Sequence, residues 1–124
     1  MAPARDPEQF FSSLSSAGRQ DVLETLRRLY QRIVLDYFQS PPQVEAQVDA
    51  FVQLAYRLDL PVSRILEIHM ELMADISKQL KLEHRSEDIL LDYRLTLIDV
   101  MANLCETYRR ATRQVLGYTA EETR

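Results

Sequence analysis

The stretch DILLDYRLTLIDVMANLCETYRRATRQVL (residues 88–116) decides the fold, because its apolar residues recur at steps of three and four. This period predicts one long amphipathic helix. At about 1.5 Å per residue it would span roughly 45 Å, which exceeds what a four-helix domain of this size needs for its own core. Ser86 is expected to cap the helix and Gly117 to end it.

Two apolar rows run along this helix, offset by about 100°. The first row consists of Leu90, Tyr93, Leu97, Met101, Leu104 and Tyr108. The second row consists of Leu91, Leu95, Ile98, Ala102 and Cys105. Helix packing within one chain can bury the first row, and a second subunit is the simplest partner for the second. We therefore expect a two-fold homodimer with the second row at its interface, the alternative being a thick monomeric core.

Three further amphipathic helices precede it. Apolar residues keep a helical period from about residue 18 to 38, from Pro41 to about Tyr56, and from Val62 to Leu80. A Ser40–Gln43 capping box is expected before the second of these helices. The predicted fold is all-α, a four-helix bundle-like domain over residues 17–116, with a flexible segment or linker at 1–16 and a polar tail at 117–124. Phe10 and Phe11 are the exception in the first segment, since they either staple it onto the first helix or form a loosely packed satellite.

Composition supports one soluble helical domain. The chain has 124 residues, 46 % of them hydrophobic and 27 % charged, close to the averages for globular proteins. Only two glycines occur, which argues against tight hairpins and phosphate-binding loops, because both need glycine at positive φ angles.

Charge and hydropathy exclude two classes of partner. The 15 basic and 19 acidic residues give a net charge of −4, without the basic cluster that nucleic-acid binding needs. No apolar run approaches a membrane span or a signal peptide, so a cytoplasmic location is expected. Cys105 is the single cysteine, which fits a reducing compartment, and is interpreted as a small hydrophobe.

Catalytic and metal motifs are incomplete. His69-Met70-Glu71 reproduces the H-x-E of zinc deaminases, but their P-C-x-x-C is absent. The chain also lacks the E-x-x-H motif of di-iron bundles. We therefore interpret His69 as a hydrogen-bonded histidine at the edge of the core, and we expect no metal, no cofactor and no enzymatic activity. A small enzyme or metal bundle is the remaining alternative.

Three segments carry a family resemblance. They are SKQLKLE (residues 77–83), RSEDILLDYRLTLIDV (residues 85–100) and LCExYRR (residues 104–110). They closely resemble the C-terminal domain of the KaiA family of the cyanobacterial circadian clock. IHMEL (residues 68–72) and Tyr37-Phe38 fit the same pattern, and the similarity covers roughly residues 22–110.

The resemblance implies a function. It implies a dimeric four-helix domain that binds the C-terminal segment of the KaiC ATPase/kinase and stimulates KaiC autophosphorylation, with no catalysis of its own. Capture by KaiB–KaiC assemblies is left open. Full-length family members carry a receiver-like N-terminal domain that this sequence lacks, so the sequence is either a short natural form or an excised domain. Input sensing through that domain is not expected here.

The resemblance also implies a partner-binding site with one departure from the family. A functionally important histidine of the family corresponds to Asn103, and His84 stands where glycine is expected. Asparagine cannot become cationic but still donates and accepts hydrogen bonds. This leaves open a KaiA-like adaptor that has lost KaiC activation and binds another partner. The residues expected near the KaiC peptide are Asn103, Glu106, Arg109 and Arg110, with Cys105 beside them and Lys81, Arg85 and Arg94 as further candidates.

Overall fold

The computed structural model describes residues 5–117, and within that range the chain is helical with no strand. Two short 3-10 turns, Pro7–Gln9 and Phe11–Ser13, come first. They are followed by α1 (Ser16–Asp36), α2 (Pro41–Arg57), α3 (Val62–Leu82), α4 (Ile89–Asp92) and α5 (Arg94–Val115). The predicted all-α, four-helix fold is confirmed.

The predicted long helix is correct in position but not continuous. It divides at Tyr93 into α4 and α5, although Tyr93 itself has helical angles (φ −67°, ψ −11°). The Tyr93 N–H donates to the Ile89 carbonyl at 3.2 Å, so the chain turns without leaving the helical region. The helix ends as predicted, because Gly117 adopts a φ of +79° and its N–H donates to the Gln114 carbonyl.

Two predicted caps are wrong. The Ser40 side chain makes no capping hydrogen bond, so the Ser40–Gln43 capping box does not form. Pro41 and Pro42 begin α2 instead, since they have no N–H group to satisfy and their φ is already close to helical. Asp88, rather than Ser86, occupies the cap position of α4, although Ser86 Oγ accepts the Asp88 N–H at 3.2 Å.

The core lies where α2 packs between α1 and α5, and α3 packs on α1. Its largest fully buried side chains include Tyr30, Phe51, Leu26, Ile33 and Ile65. Burying each such side chain contributes about 1.5–3 kcal/mol from the hydrophobic effect. The first apolar row of the long helix packs against this core from Tyr93 to Tyr108, as expected, whereas Leu90 is half-buried and outside the core.

The segment before α1 contacts the core. Of residues 1–16, predicted as a flexible segment or linker, those from Arg5 onward are described. Phe11 is 5 % exposed, and its N–H donates to the Leu58 carbonyl at 2.6 Å. Phe11 therefore anchors the segment to the end of α2. Residues 1–4 and most of the predicted tail, 118–124, lie outside the described range.

None of the helices between residues 5 and 117 has the length and apolar character needed to cross a membrane.

Candidate functional site

Asn103 lies on the exposed side of α5 and is tied to the preceding turn of its own helix. Its Nδ2 donates to the Asp99 carbonyl at 2.8 Å and to Asp99 Oδ1 at 3.1 Å. Residues four apart share a face of a helix, so this geometry follows directly from the sequence spacing. The amide thus holds the Asp99 carboxylate on the same side of α5 as itself.

Asn103 borders a groove formed by the end of α1, the first turns of α2 and the middle of α5. The groove has a volume of about 320 Å³ and is lined by Tyr37, Pro41, Val44, Glu45, Val48, Asp99 and Asn103. A second hollow of about 390 Å³ adjoins it, lined by Pro42, Glu45, Ala46, Asp49 and Asn103. Asn103 and Glu45 line both, so the two hollows form one concave surface.

The groove combines an apolar floor with an acidic rim. Val44 and Val48 are buried on the α2 side, whereas Glu45 is exposed. Partial burial raises the pKa of the Tyr37 hydroxyl, and the nearby Asp99 carboxylate raises it further. Tyr37 therefore stays a neutral hydrogen-bonding group at neutral pH. Sequence reasoning missed the groove's lining on α2, because no local pattern shows which helices will meet.

Glu106, Arg109 and Arg110 form an ion-pair cluster one turn beyond Asn103. Arg109 Nε donates to Glu106 Oε2 at 2.9 Å, and Arg110 Nε lies 3.5 Å from Glu106 Oε1. The hydrogen bond from Arg109 is the main cause of the lowered pKa of Glu106. Both arginines remain exposed, so the cluster presents net positive charge beside the acidic groove.

The three further cationic candidates lie away from Asn103. Lys81 belongs to the last turn of α3, and Arg85 follows it and pairs with Glu83 at 3.2 Å. Arg94 is the first residue of α5, and its Nε donates to the Leu91 carbonyl. Nine residues of helix separate it from Asn103, about 13 Å along the axis. The structure therefore separates Arg94, at the start of α5, from Asn103 and the arginines in the second half of that helix. Lys81 and Arg85 lie outside α5, at the end of α3 and in the turn after it.

The second apolar row is uncovered in the single chain. Leu91, Leu95 and Ile98 are 59 %, 51 % and 62 % exposed. Ala102 and Cys105 continue the row and are also exposed, so Cys105 does not pack in the core of its own chain. The row expected at a dimer interface therefore has no cover from the rest of the described chain.

His69 confirms its predicted hydrogen-bonded role and lies deeper than the edge of the core. It is 4 % exposed, and its Nδ1 lies 2.6 Å from the Tyr30 hydroxyl. Glu71, the glutamate of the H-x-E motif, instead pairs with Arg27 at 3.1 Å. From Arg5 to Gly117, the structure contains no group of three or more potential metal ligands.

Comparisons with known proteins place these features in a family. The model of the KaiA C-terminal domain family matches residues 3–114. The circadian clock oscillator protein KaiA of Thermosynechococcus vestitus (strain NIES-2133 / IAM M-273 / BP-1) is 56 % identical over 107 residues, covering 86 % of this chain and 38 % of that protein. The corresponding protein of Synechococcus elongatus (strain ATCC 33912 / PCC 7942 / FACHB-805) is 49 % identical over the same length and shares of the two chains.

Solved structures agree with this assignment. The crystal structure of the C-terminal domain of Thermosynechococcus elongatus BP-1 KaiA is similar with a TM-score of 0.70 and 57 % identity, covering 81 % of this chain and 94 % of that one. The crystal structure of KaiA from PCC7120 gives a TM-score of 0.65 at 43 % identity, covering 74 % and 93 %. The chain spans little more than a third of the length of the first curated relatives it matches.

Proposed function

The chain belongs to the KaiA C-terminal domain family, and from that premise we propose that it is a circadian clock regulator acting as a two-fold homodimer. In this proposal it binds the C-terminal segment of KaiC and stimulates KaiC autophosphorylation, without a cofactor and without catalysis of its own. KaiC and a second copy of this chain are then its partners.

The observation that carries this proposal is the groove beside Asn103. It is concave, has an apolar floor on α2 and has polar groups at its rim, which is the arrangement that holds a peptide segment by side-chain anchors and rim hydrogen bonds. The exposed apolar row lies on the same helix as Asn103. Ala102 of that row directly precedes Asn103, and adjacent helical residues point about 100° apart, so the row and the groove occupy neighbouring faces of α5. A dimer formed through that row would carry two such grooves.

The test is KaiC autophosphorylation over time with no addition, with this protein, and with its Asn103→His variant at equal concentration. Gln20→His, at an exposed position on α1, is the matched control for adding a histidine. Stimulation by the unaltered protein supports the proposal. Stimulation only by Asn103→His would mean that the groove is intact and that the contact made by the family's histidine has been lost.

A second candidate function is a KaiA-like adaptor that keeps the fold and the dimer but has lost KaiC activation and binds another partner. It is favoured by one observation, the engagement of the Asn103 amide with Asp99, which leaves fewer donors for a partner. Binding of a KaiC tail peptide without any stimulation by either protein would support this version. A monomer by light scattering at micromolar concentration, together with no peptide binding, would exclude the activator.

A further inference from the structure

Arg5 lies at one end of the bundle among three aromatic rings. Its guanidinium carbon is 4.5 Å from the centroid of Tyr56, 5.1 Å from that of Phe10 and 5.2 Å from that of Tyr108. The side chain is 25 % exposed, so these cation–π contacts are partly shielded from water, where they are stronger than at a fully exposed site.

The same guanidinium makes hydrogen bonds that join three parts of the chain. Its NH1 donates to Asp59 Oδ1 at 2.9 Å, to the Tyr56 carbonyl at 3.3 Å and to the Tyr108 hydroxyl at 3.4 Å. The Tyr108 hydroxyl donates in turn to Asp59 Oδ1 at 3.1 Å. Arg5, Asp59 and Tyr108 thus close a triangle between the segment before α1, the corner between α2 and α3, and α5.

This triangle contacts α5 at Tyr108, where the part of the helix that has no buried residues begins. The buried residues of α5 end at Thr107, and none of the described residues after it is buried. Tyr108, which packs edge-on against Tyr56 with ring centroids 5.0 Å apart, joins the following turns to the rest of the domain. Ala111 adds only a partly buried contact.

We propose that Arg5 is a positioning residue for the C-terminal turns of α5. By holding Tyr108 against Asp59 and Tyr56, it keeps the helical turns that carry Arg109 and Arg110 in place. Release of Arg5 would let these turns open locally while the buried part of α5 stays folded, because local opening follows the density of buried contacts.

The regulatory part of this inference rests on the proposed function. If the Arg109–Arg110 end of α5 contacts the KaiC segment, the segment before α1 controls how well that contact is ordered. Arg5 touches neither arginine, so its effect on binding would pass through Tyr108.

The experiment measures amide hydrogen exchange along α5 in the full chain for the unaltered protein, Arg5→Ala, Arg5→Lys and Tyr108→Phe. We expect Arg5→Ala to speed exchange of amides 108–112 by about fivefold or more, as a loss of roughly one such local interaction implies, and to leave amides 97–104 unchanged. Arg5→Lys keeps the cation and should recover part of the protection. Tyr108→Phe keeps the ring, removes the hydroxyl and should give a smaller increase.

Arg64→Ala is the matched control. Arg64 also lies over an aromatic ring of the segment before α1, 5.6 Å from the Phe11 centroid, but has no hydrogen bond or cation–π contact to Tyr108. Unchanged exchange at 108–112 in Arg5→Ala, a uniform increase along the whole helix, or the same local increase in Arg64→Ala would each overturn the proposal.

Binding of a KaiC C-terminal peptide to the same variants separates this inference from the proposed function. We expect Arg5→Ala to weaken binding severalfold and Arg64→Ala to leave it unchanged. Failure of the unaltered protein to bind the peptide would count against the proposed function alone, since the exchange measurement decides the role of Arg5 without any partner.

Discussion

The Tyr30 hydroxyl of α1 lies 2.6 Å from Nδ1 of His69 in α3, and both side chains are almost completely buried. Their rings meet edge-on with centroids 5.8 Å apart. Burial lowers the pKa of His69 and raises that of Tyr30. Both groups are therefore neutral at neutral pH, and one hydrogen bond joins them, in which the Tyr30 hydroxyl is the donor when the imidazole proton is on Nε2.

The first prediction is that the protein loses stability as the pH falls below about 6.5. Because the pKa of His69 is lower in the folded state than its ordinary value of 6.5, the unfolded chain binds the proton first. One such group lowers the free energy of unfolding by at most about 1.4 kcal/mol per pH unit. Urea unfolding between pH 7.5 and 5.5 measures the slope.

Two histidine variants locate the source of this slope. His69→Gln should flatten it, whereas His84→Asn, in the exposed turn after α3, should leave it as it was. A flat profile in the unaltered protein, or one abolished by His84→Asn, would contradict the assignment to His69.

The second prediction concerns the hydrogen bond itself. Tyr30→Phe keeps the ring in the core but leaves the buried Nδ1 of His69 without its partner, which costs about 1–3 kcal/mol. Tyr37→Phe, at a half-buried tyrosine immediately after α1, serves as the control and should change the free energy of unfolding much less. Equal losses in the free energy of unfolding would mean that the buried Tyr30–His69 hydrogen bond stabilises the fold no more than the half-buried hydroxyl of Tyr37 does.

The sequence predicts much of this fold because helical periodicity is a local signal. The two apolar rows of the last long helix separate by one position, so spacing alone places them on different faces. The structure then shows that the first row faces the core and the second stays exposed. The break at Tyr93 escapes this reasoning, because a residue that keeps helical angles leaves the apolar spacing unchanged. Tyr30 could not be named as the partner of His69, since 39 residues separate them.

The candidate site is likewise predictable from the sequence only where its residues are close together in the chain. Asn103, Glu106, Arg109 and Arg110 share one helix, and their adjacency is visible in the sequence. The groove is not visible in the sequence, because its lining also includes residues at the end of α1 and in the first turns of α2. The sequence leaves the packing of Phe11 undecided, because two aromatic residues in a serine-rich segment fit a staple onto the domain as well as a loosely packed satellite. The structure decides for packing, and the contact is with the end of α2.

The third prediction is that His84→Gly stabilises the protein. His84 has a φ of 54°, in the left-handed region that costs a residue with a Cβ about 1–2 kcal/mol and glycine almost nothing. Glycine also gains freedom in the unfolded state, so the expected net gain is about 0.5–1 kcal/mol. His84→Ala removes the same imidazole but keeps the Cβ and should give no gain. Equal stabilities of the two variants would show that backbone strain is not the cause.

The fourth prediction tests the dimer through the exposed row of α5. Ile98→Asp should convert a dimer into a monomer by light scattering, because an unpaired carboxylate is costly to bury at an apolar interface. Ile98 is 62 % exposed in the single chain, so the substitution should leave the helical circular dichroism unchanged. Met70→Asp is the matched control, since Met70 is 66 % exposed but lies on α3. Dissociation by Met70→Asp and not by Ile98→Asp would move the interface from α5 to α3.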